Sequence, residues 1–173
     1  PIYEPELDVL FERNIKAGRL HFTTDLAAGI AQAEIIFLAL PTPPGADGAA
    51  DLSFVLGVAE ELGKLITDYK VIVDKSTVPV GTSHKVRDLI ASRTQIPFHI
   101  ADNPEFLKEG DAINDFMKPD RVVCGVESEH AATAMRELYE PFVRQGNPIY
   151  IMDVRSSEMV KYASNAMLAC KIS

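Results

Sequence analysis

The sequence has no tryptophan, only two cysteines, no apolar run longer than a strand, and fewer positive than negative charges. Each shortage removes a class of function. With 17 Lys and Arg against 25 Asp and Glu over 173 residues, the net charge is −8. Such a surface repels a phosphate backbone, and no basic run interleaved with aromatics offsets it, so nucleic-acid binding is not expected. The longest apolar stretches, such as Ile35 to Leu40, fall far short of the ~20 residues of a membrane helix, so no membrane span is expected. The cysteines, Cys124 and Cys170, form no Cys-x-x-Cys and have no histidine at ligand spacing. No metal is expected, and a reducing, cytoplasmic setting fits. Both cysteines read as small core residues, because no local base or cation pattern would form a thiolate. His21, His84, His99 and His130 are scattered singly and read as surface or capped core positions. Pro1 to Glu6 are acidic and proline-bearing, the opposite of a basic and then apolar secretion signal. The chain starts without Met and stops at Ser173 inside a helical pattern, so it reads as a piece of something longer.

What is present is an ordinary globular composition, 47% hydrophobic and 24% charged, which excludes disorder as the expectation. Short apolar strands alternate with amphipathic helices, the pattern of a mostly parallel sheet with crossover helices. The strands are expected at Leu20 to Thr23, Glu34 to Leu40, Tyr69 to Asp74, Phe98 to Ala101, Arg121 to Val126 and Pro148 to Met152. Leu52, Val55, Leu56, Ala59, Leu62 and Ile66 recur at helical spacing, with Asp51 placed to cap the first turn. Further helices are expected from about Ser128 to Val143 and from about Ser156 to the end. The Pro41 to Gly45 cluster, followed by Asp47 and Gly48, forms a loop at the strand end where open α/β sheets bind ligands.

The dinucleotide fingerprint Gly-x-Gly-x-x-Gly is absent, so spacing alone names no cofactor. What remains is a set of polar strand-end loops. Lys75 to Thr82 follows a strand and precedes a helical stretch, so its hydroxyls and free N–H groups either face an anion or form an ordinary cap and turn. Glu105 and Glu109 are four residues apart: helical, they share a face and serve as proton acceptor and anchor; otherwise they form a solvated acidic turn. Glu158, Lys161 and Asn165 fall at i, i+3 and i+7, either aiming a cation and an amide into a cleft or forming an exposed Glu–Lys pair.

Six segments in this order resemble one family. They are Pro1-Ile2-Tyr3-Glu4-Pro5, Leu40-Pro41-Thr42-Pro43, Ser76-Thr77-Val78-Pro79, Asn103 to Gly110, Pro119-Asp120-Arg121-Val122-Val123 and Lys161-x-x-x-Asn165-Ala166. The family is the UDP-glucose/GDP-mannose dehydrogenases, and the resemblance runs along essentially the whole chain. Asp47 to Leu52 and the stretch from Glu109 to Arg121 point, within it, to the branch that oxidises UDP-glucose. The resemblance implies a Rossmann-like sheet, NAD as cofactor, and a four-electron oxidation of the sugar C6 alcohol that gives UDP-glucuronate for surface polysaccharides. By resemblance, Pro41, Thr42, Pro43 and Ser76 touch NAD. Thr77 and Glu109 sit where cofactor and substrate meet and help to activate water. Glu105, Phe106 and Leu107 line the nucleotide-sugar site, and Lys161 and Asn165 stabilise the oxygen charge at C6. Arg121 is either near the site or a strand-initial ion-pair residue.

The departures are omissions. The resemblance makes residues 1–153 an incomplete NAD-binding domain and 154–173 the start of a central helix through which subunits pair as a homodimer. The Gly-rich turn, the ribose-binding acid and the nucleophilic cysteine match nothing in this chain, and neither Cys124 nor Cys170 takes the last role. A chain confined to these residues is expected to be inactive and poorly stable, with strand edges left unpaired. Two other readings stay open: a dehydrogenase of GDP-mannose or of a UDP-N-acetylhexosamine, and a non-catalytic α/β module.

Overall fold

The computed structural model describes residues 3–46, 48–143 and 146–173. Pro1, Ile2 and Asp47, which belong to quoted motifs, lie outside the described residues. Five strands form one sheet in sequential order: β1 (Ile35–Leu38), β2 (Lys70–Asp74), β3 (Phe98–Asp102), β4 (Val122–Val126) and β5 (Ile149–Met152). The helices are α1 (Leu7–Lys16), α2 (Leu26–Ile30), α3 (Ser53–Leu65), α4 (Thr82–Ala91), α5 (Ala112–Met117), α6 (Glu129–Tyr139) and α7 (Val154–Ile172). Every strand expected from residue 34 onward is present within two residues of its expected bounds.

The centre of the sheet is buried on both faces, which is why its strands read as continuous apolar runs, while Phe37 and Tyr150 on the outer strands are exposed. β2 is buried along its whole length. Its alternation sends Ile72 to one core with Leu38, Val55, Leu62, Val86, Ile90 and Ile100, under α3 and α4. Val71 and Val73 go to the other, with Ala101, Cys124, Ala131, Met135 and Tyr139, under α6. The helix starts follow local chemistry: Asp51 accepts from Ser53 N at 2.9 Å, Ser128 from Ala131 N at 3.1 Å, and Asp153 from Ser156 N at 3.0 Å.

The sheet is mostly parallel, as expected, and two expectations need correction, the strand at Leu20 to Thr23 and the burial of Cys170. Leu20 to Thr23 is not a strand, because no described strand lies alongside to take up its backbone groups, and His21, Phe22 and Thr23 are exposed. Three strand pairings are parallel, but β3 and β4 pair antiparallel through Ala101 with Val126 and Asp102 with Gly125. The connection between them holds only the six-residue α5, too short to carry the chain back along β3, so β4 starts beyond the carboxyl end of β3 and returns. Cys124 is buried as expected, whereas Cys170 is exposed near the end of α7. The His99 and His130 rings each pack T-shaped with Tyr69, at centroid distances of 5.7 and 4.7 Å. Among the described residues no helix is long and apolar enough to cross a membrane, and no group of three His, Cys, Asp or Glu is placed to hold a metal ion.

Candidate functional site

The carboxyl ends of β1, β2 and β3 share one edge of the sheet, and the connectors that follow them carry most of the candidate residues. A cleft of about 400 Å³ opens there, walled by the 103–122 connection and by α7. Its lining includes Phe106, Leu107, Arg121, Lys161 and Asn165, all singled out in the sequence. Lys161 Nζ donates to the Glu105 carbonyl and lies 3.5 Å from Glu105 Oε2. The Lys161 Nζ is 5.4 Å from the centre of the Phe106 ring and the Arg121 guanidinium carbon is 4.6 Å from it, so one aromatic ring meets two cations.

Residues 103–108 are not helical. Pro104 disfavours helix at Asn103, whose N–H donates instead to Asp74 O at 2.8 Å while its Nδ2 donates to Val123 O at 2.8 Å. Glu105 and Glu109 therefore share no helical face. The Glu105 carboxylate accepts from Leu107 N, and Glu109 is exposed beside Gly110, whose φ is +86°. Glu4 closes this turn from a distance, its two oxygens accepting from Gly110 N at 3.1 Å and Ala112 N at 2.8 Å.

The second group lies at the ends of β1 and β2. Thr42 Oγ1 donates to Thr77 O at 2.9 Å, and Ser76 Oγ accepts from Leu40 N at 2.9 Å with Leu40 O 2.8 Å away. These hydroxyls stitch the two connectors together, leaving Pro41 and Pro43 exposed. None of Pro41, Thr42, Pro43, Ser76, Thr77 or Glu109 is in the described cleft lining.

A second correction concerns Glu158. Only Lys161 and Asn165 face the cleft, whereas Glu158 is buried against the start of α4, accepting from Gly81 N at 2.5 Å and Ser83 N at 2.8 Å. At the end of the Lys75 to Thr82 segment, the carboxylate that meets Gly81 N is thus a side chain of this same chain.

Several buried polar groups escaped the sequence reading. Asp74 and Asp102 face each other across β2 and β3 at the same register, and Ser157 Oγ donates to Asp102 Oδ2 at 2.5 Å. Asp102 was lost by ending β3 one residue early. Burial pushes both carboxyls up to about 7, with the charge on Glu158 adding to the effect. On the opposite face Lys75 lines the cleft and donates to Asn103 O at 3.2 Å. Its burial lowers it to about 8, against the opposing pull of Glu105 and Asp102. The alternation of adjacent residues, Asp74 to the α4 side and Lys75 to the cleft, separates the two polar groups.

The raised carboxyls give a stability prediction. Between about pH 4 and pH 7 the native state keeps protons on Asp74 and Asp102 that the unfolded chain has released, so their contribution to stability falls as pH rises through that window. Asp102→Asn keeps an acceptor for Ser157 and removes the charge. It is expected to add about 2 kcal/mol at pH 8 and almost nothing near pH 4, read from denaturant midpoints. Parallel pH curves for the two proteins would contradict the placement of that charge.

Residues 1–143 match the sequence model of the UDP-glucose/GDP-mannose dehydrogenase family, NAD binding domain. The UDP-glucose 6-dehydrogenase of Pseudomonas aeruginosa is 47% identical over 178 aligned residues, covering 100% of this chain and 39% of its own length. Among solved structures, a UDP-glucose dehydrogenase from Pyrobaculum islandicum superposes with a TM-score of 0.94 at 40% identity, over 99% of this chain and 40% of that one. A ternary complex of GDP-mannose dehydrogenase from Pseudomonas aeruginosa gives a TM-score of 0.93 at 31% identity, over 99% of this chain and 41% of that one. This chain therefore spans about two fifths of the proteins it matches.

Proposed function

The chain belongs to the UDP-glucose/GDP-mannose dehydrogenase family, and from that premise we propose that it serves the NAD-dependent oxidation of UDP-glucose at C6 to UDP-glucuronate. In this reading residues 1–153 are part of the NAD-binding domain, residues 154–173 begin the central helix of a homodimer, and the enzyme works in the cytoplasm. What most supports it is the meeting of Lys161, Asn165, Phe106 and Leu107 in one cleft at the ligand-binding edge of the sheet.

The chain's own groups fit the cofactor. Exposed Pro41 and Pro43, with Thr42, Ser76 and Thr77 tied between the ends of β1 and β2, make an uncharged shelf suited to a ribose and a flat ring rather than to phosphate. NAD, when bound, accepts the hydride in each of the two oxidations. Lys161 is held by Glu105 through two N–H groups, one to its carbonyl and one, at 3.5 Å, to its carboxylate, which leaves one N–H donor for the sugar oxygen at C6. Asn165, one turn further along the same face, adds an amide donor. Both act on the oxygen as negative charge develops on it. Glu105, Phe106 and Leu107 shape the sugar pocket, and Thr77 with Glu109 orients water for the second oxidation.

The choice of UDP-glucose follows identity rather than fold. The chain superposes almost equally on a UDP-glucose and a GDP-mannose dehydrogenase, but in those superpositions identity is 40% to the UDP-glucose enzyme against 31% to the GDP-mannose enzyme. The test is NADH release by the protein of the full reading frame containing this chain. Two NADH per UDP-glucose are expected, with little release from GDP-mannose. Turnover of GDP-mannose instead would move the assignment within the family, and no NADH from any nucleotide sugar would leave the non-catalytic module.

A further inference from the structure

Glu158 is one of the few charged side chains withdrawn from solvent, at 2% exposure, and both its oxygens are engaged by the start of another element. Oε2 accepts from Gly81 N at 2.5 Å and Oε1 from Ser83 N at 2.8 Å. Gly81, at φ +94°, is the residue before α4 and brings no side chain to cap it. A helix start leaves several N–H groups without partners, and a carboxylate there gains from both hydrogen bonding and the helix dipole. Here the carboxylate comes from α7, more than seventy residues along the chain.

The two elements so joined carry the two halves of the candidate site. Upstream of Gly81, the connector is a closed turn. Thr82 Oγ1 donates to Pro79 O at 2.7 Å, Val78 is buried, and Thr77 O accepts from Thr42 Oγ1 at 2.9 Å, reaching the Pro41 to Pro43 shelf. One turn downstream of Glu158, Lys161 reaches Glu105 in the sugar cleft. The adjacent Ser157 is fixed to Asp102 on β3, so this turn of α7 has little freedom to slide independently. Two hydrogen bonds, Thr42 to Thr77 and Gly81 to Glu158, joined by the 77–81 connector and one turn of α7, therefore link the Pro41 to Pro43 shelf to Lys161.

We infer that Glu158 is a positioning residue that couples the connector carrying Thr77 to the α7 face carrying Lys161 and Asn165. The inference rests on the function proposed above. Movement of the connector on cofactor binding pulls on the Glu158 carboxylate, and through one helical turn sets where Lys161 stands against the sugar.

The test uses the complete protein with Glu158→Ala and Glu158→Gln. The glutamine keeps the size and one acceptor oxygen but turns an NH₂ toward the second N–H, so it falls between the wild type and alanine. Expected for alanine is a loss of about a hundredfold in kcat with KM for NAD and UDP-glucose within about fivefold, since a displaced cation costs rate more than binding. Amide exchange, read without substrate, is expected to quicken at residues 77–83 and also at 105–109. NAD alone is expected to slow exchange at 105–109 in the wild type and not in Glu158→Ala. Thermal melting of each variant separates this pattern from simple loss of folded protein. A kcat within threefold of the wild type, or faster exchange confined to 77–83, overturns the inference and leaves Glu158 a local helix cap. If the wild type oxidises no nucleotide sugar, the functional reading fails alone, and the exchange at 105–109 still decides the coupling.

Discussion

Lys161→Ala in the complete protein is expected to lower kcat by a factor on the order of 10² to 10³, while NAD affinity changes less than about twofold. The asymmetry follows from where the ammonium sits. Nζ is fixed against the Glu105 carbonyl in the cleft lined by Phe106 and Leu107, while the uncharged shelf assigned to NAD lies at the ends of β1 and β2. A charge placed at the reacting oxygen stabilises the transition state more than the bound alcohol, so its removal appears in turnover. Truncation also leaves the Glu105 carboxylate without its cation, and the comparison with Lys161→Met, which keeps most of the stem, separates lost charge from lost packing. Equal losses for alanine and methionine in stopped-flow hydride transfer would confirm the charge as the source. An unchanged kcat for both would remove Lys161 from the chemistry.

The parts of this fold that were legible in the sequence are those governed by local rules. Continuous apolar runs such as Val71-Ile72-Val73 and the spacing of Val55, Ala59 and Leu62 mark strand and helix because both report burial directly. Leu20 to Thr23 alternates apolar and polar residues as a strand does, yet a strand needs a neighbour, and no periodicity reveals whether one is present. The direction of β4 was illegible for a related reason: it depends on how the Asn103 to Arg121 connection turns, and that is set by Pro104 and by the side-chain bonds of Asn103. Lys161 and Asn165 line one cleft, as helical spacing on one face allows. Glu158 shares the direction of Asn165 but sits two turns earlier along α7, where it meets Gly81 and Ser83, and helical spacing does not say which neighbour each turn faces. Asp102 went unnamed and the burial of Asp74 and Lys75 was not foreseen, since a charged residue at a strand end looks exposed until the elements that cover it are known.

Gly125→Ala is expected to be the most damaging of the small substitutions, costing about 3 kcal/mol of stability, the upper range for overpacking at a rigid contact. A methyl group at Gly125 would fall 2.6 Å from Ser157 Cβ, 2.8 Å from Val154 Cα and 3.2 Å from Asp153 O. Two of these three are backbone atoms at the start of α7, so no rotamer change relieves the clash and the helix must lift from β4. Lifting stretches the hydrogen bond from Ser157 to Asp102 and the seat of Glu158 at α4, and it displaces Lys161 one turn on. Activity of the complete protein is therefore expected to fall with stability rather than survive it. Gly57→Ala is the control. Gly57 lies on the exposed side of α3 with nothing within 4 Å of an added methyl, so alanine is expected to stabilise by about 0.5 to 1 kcal/mol through helix propensity alone. Opposite signs for the same chemical change, measured in one denaturant series, would locate the cost in the contact between β4 and α7. A loss at Gly125 below about 1 kcal/mol would show that α7 yields there, and with it would go the rigid seat that Lys161 needs.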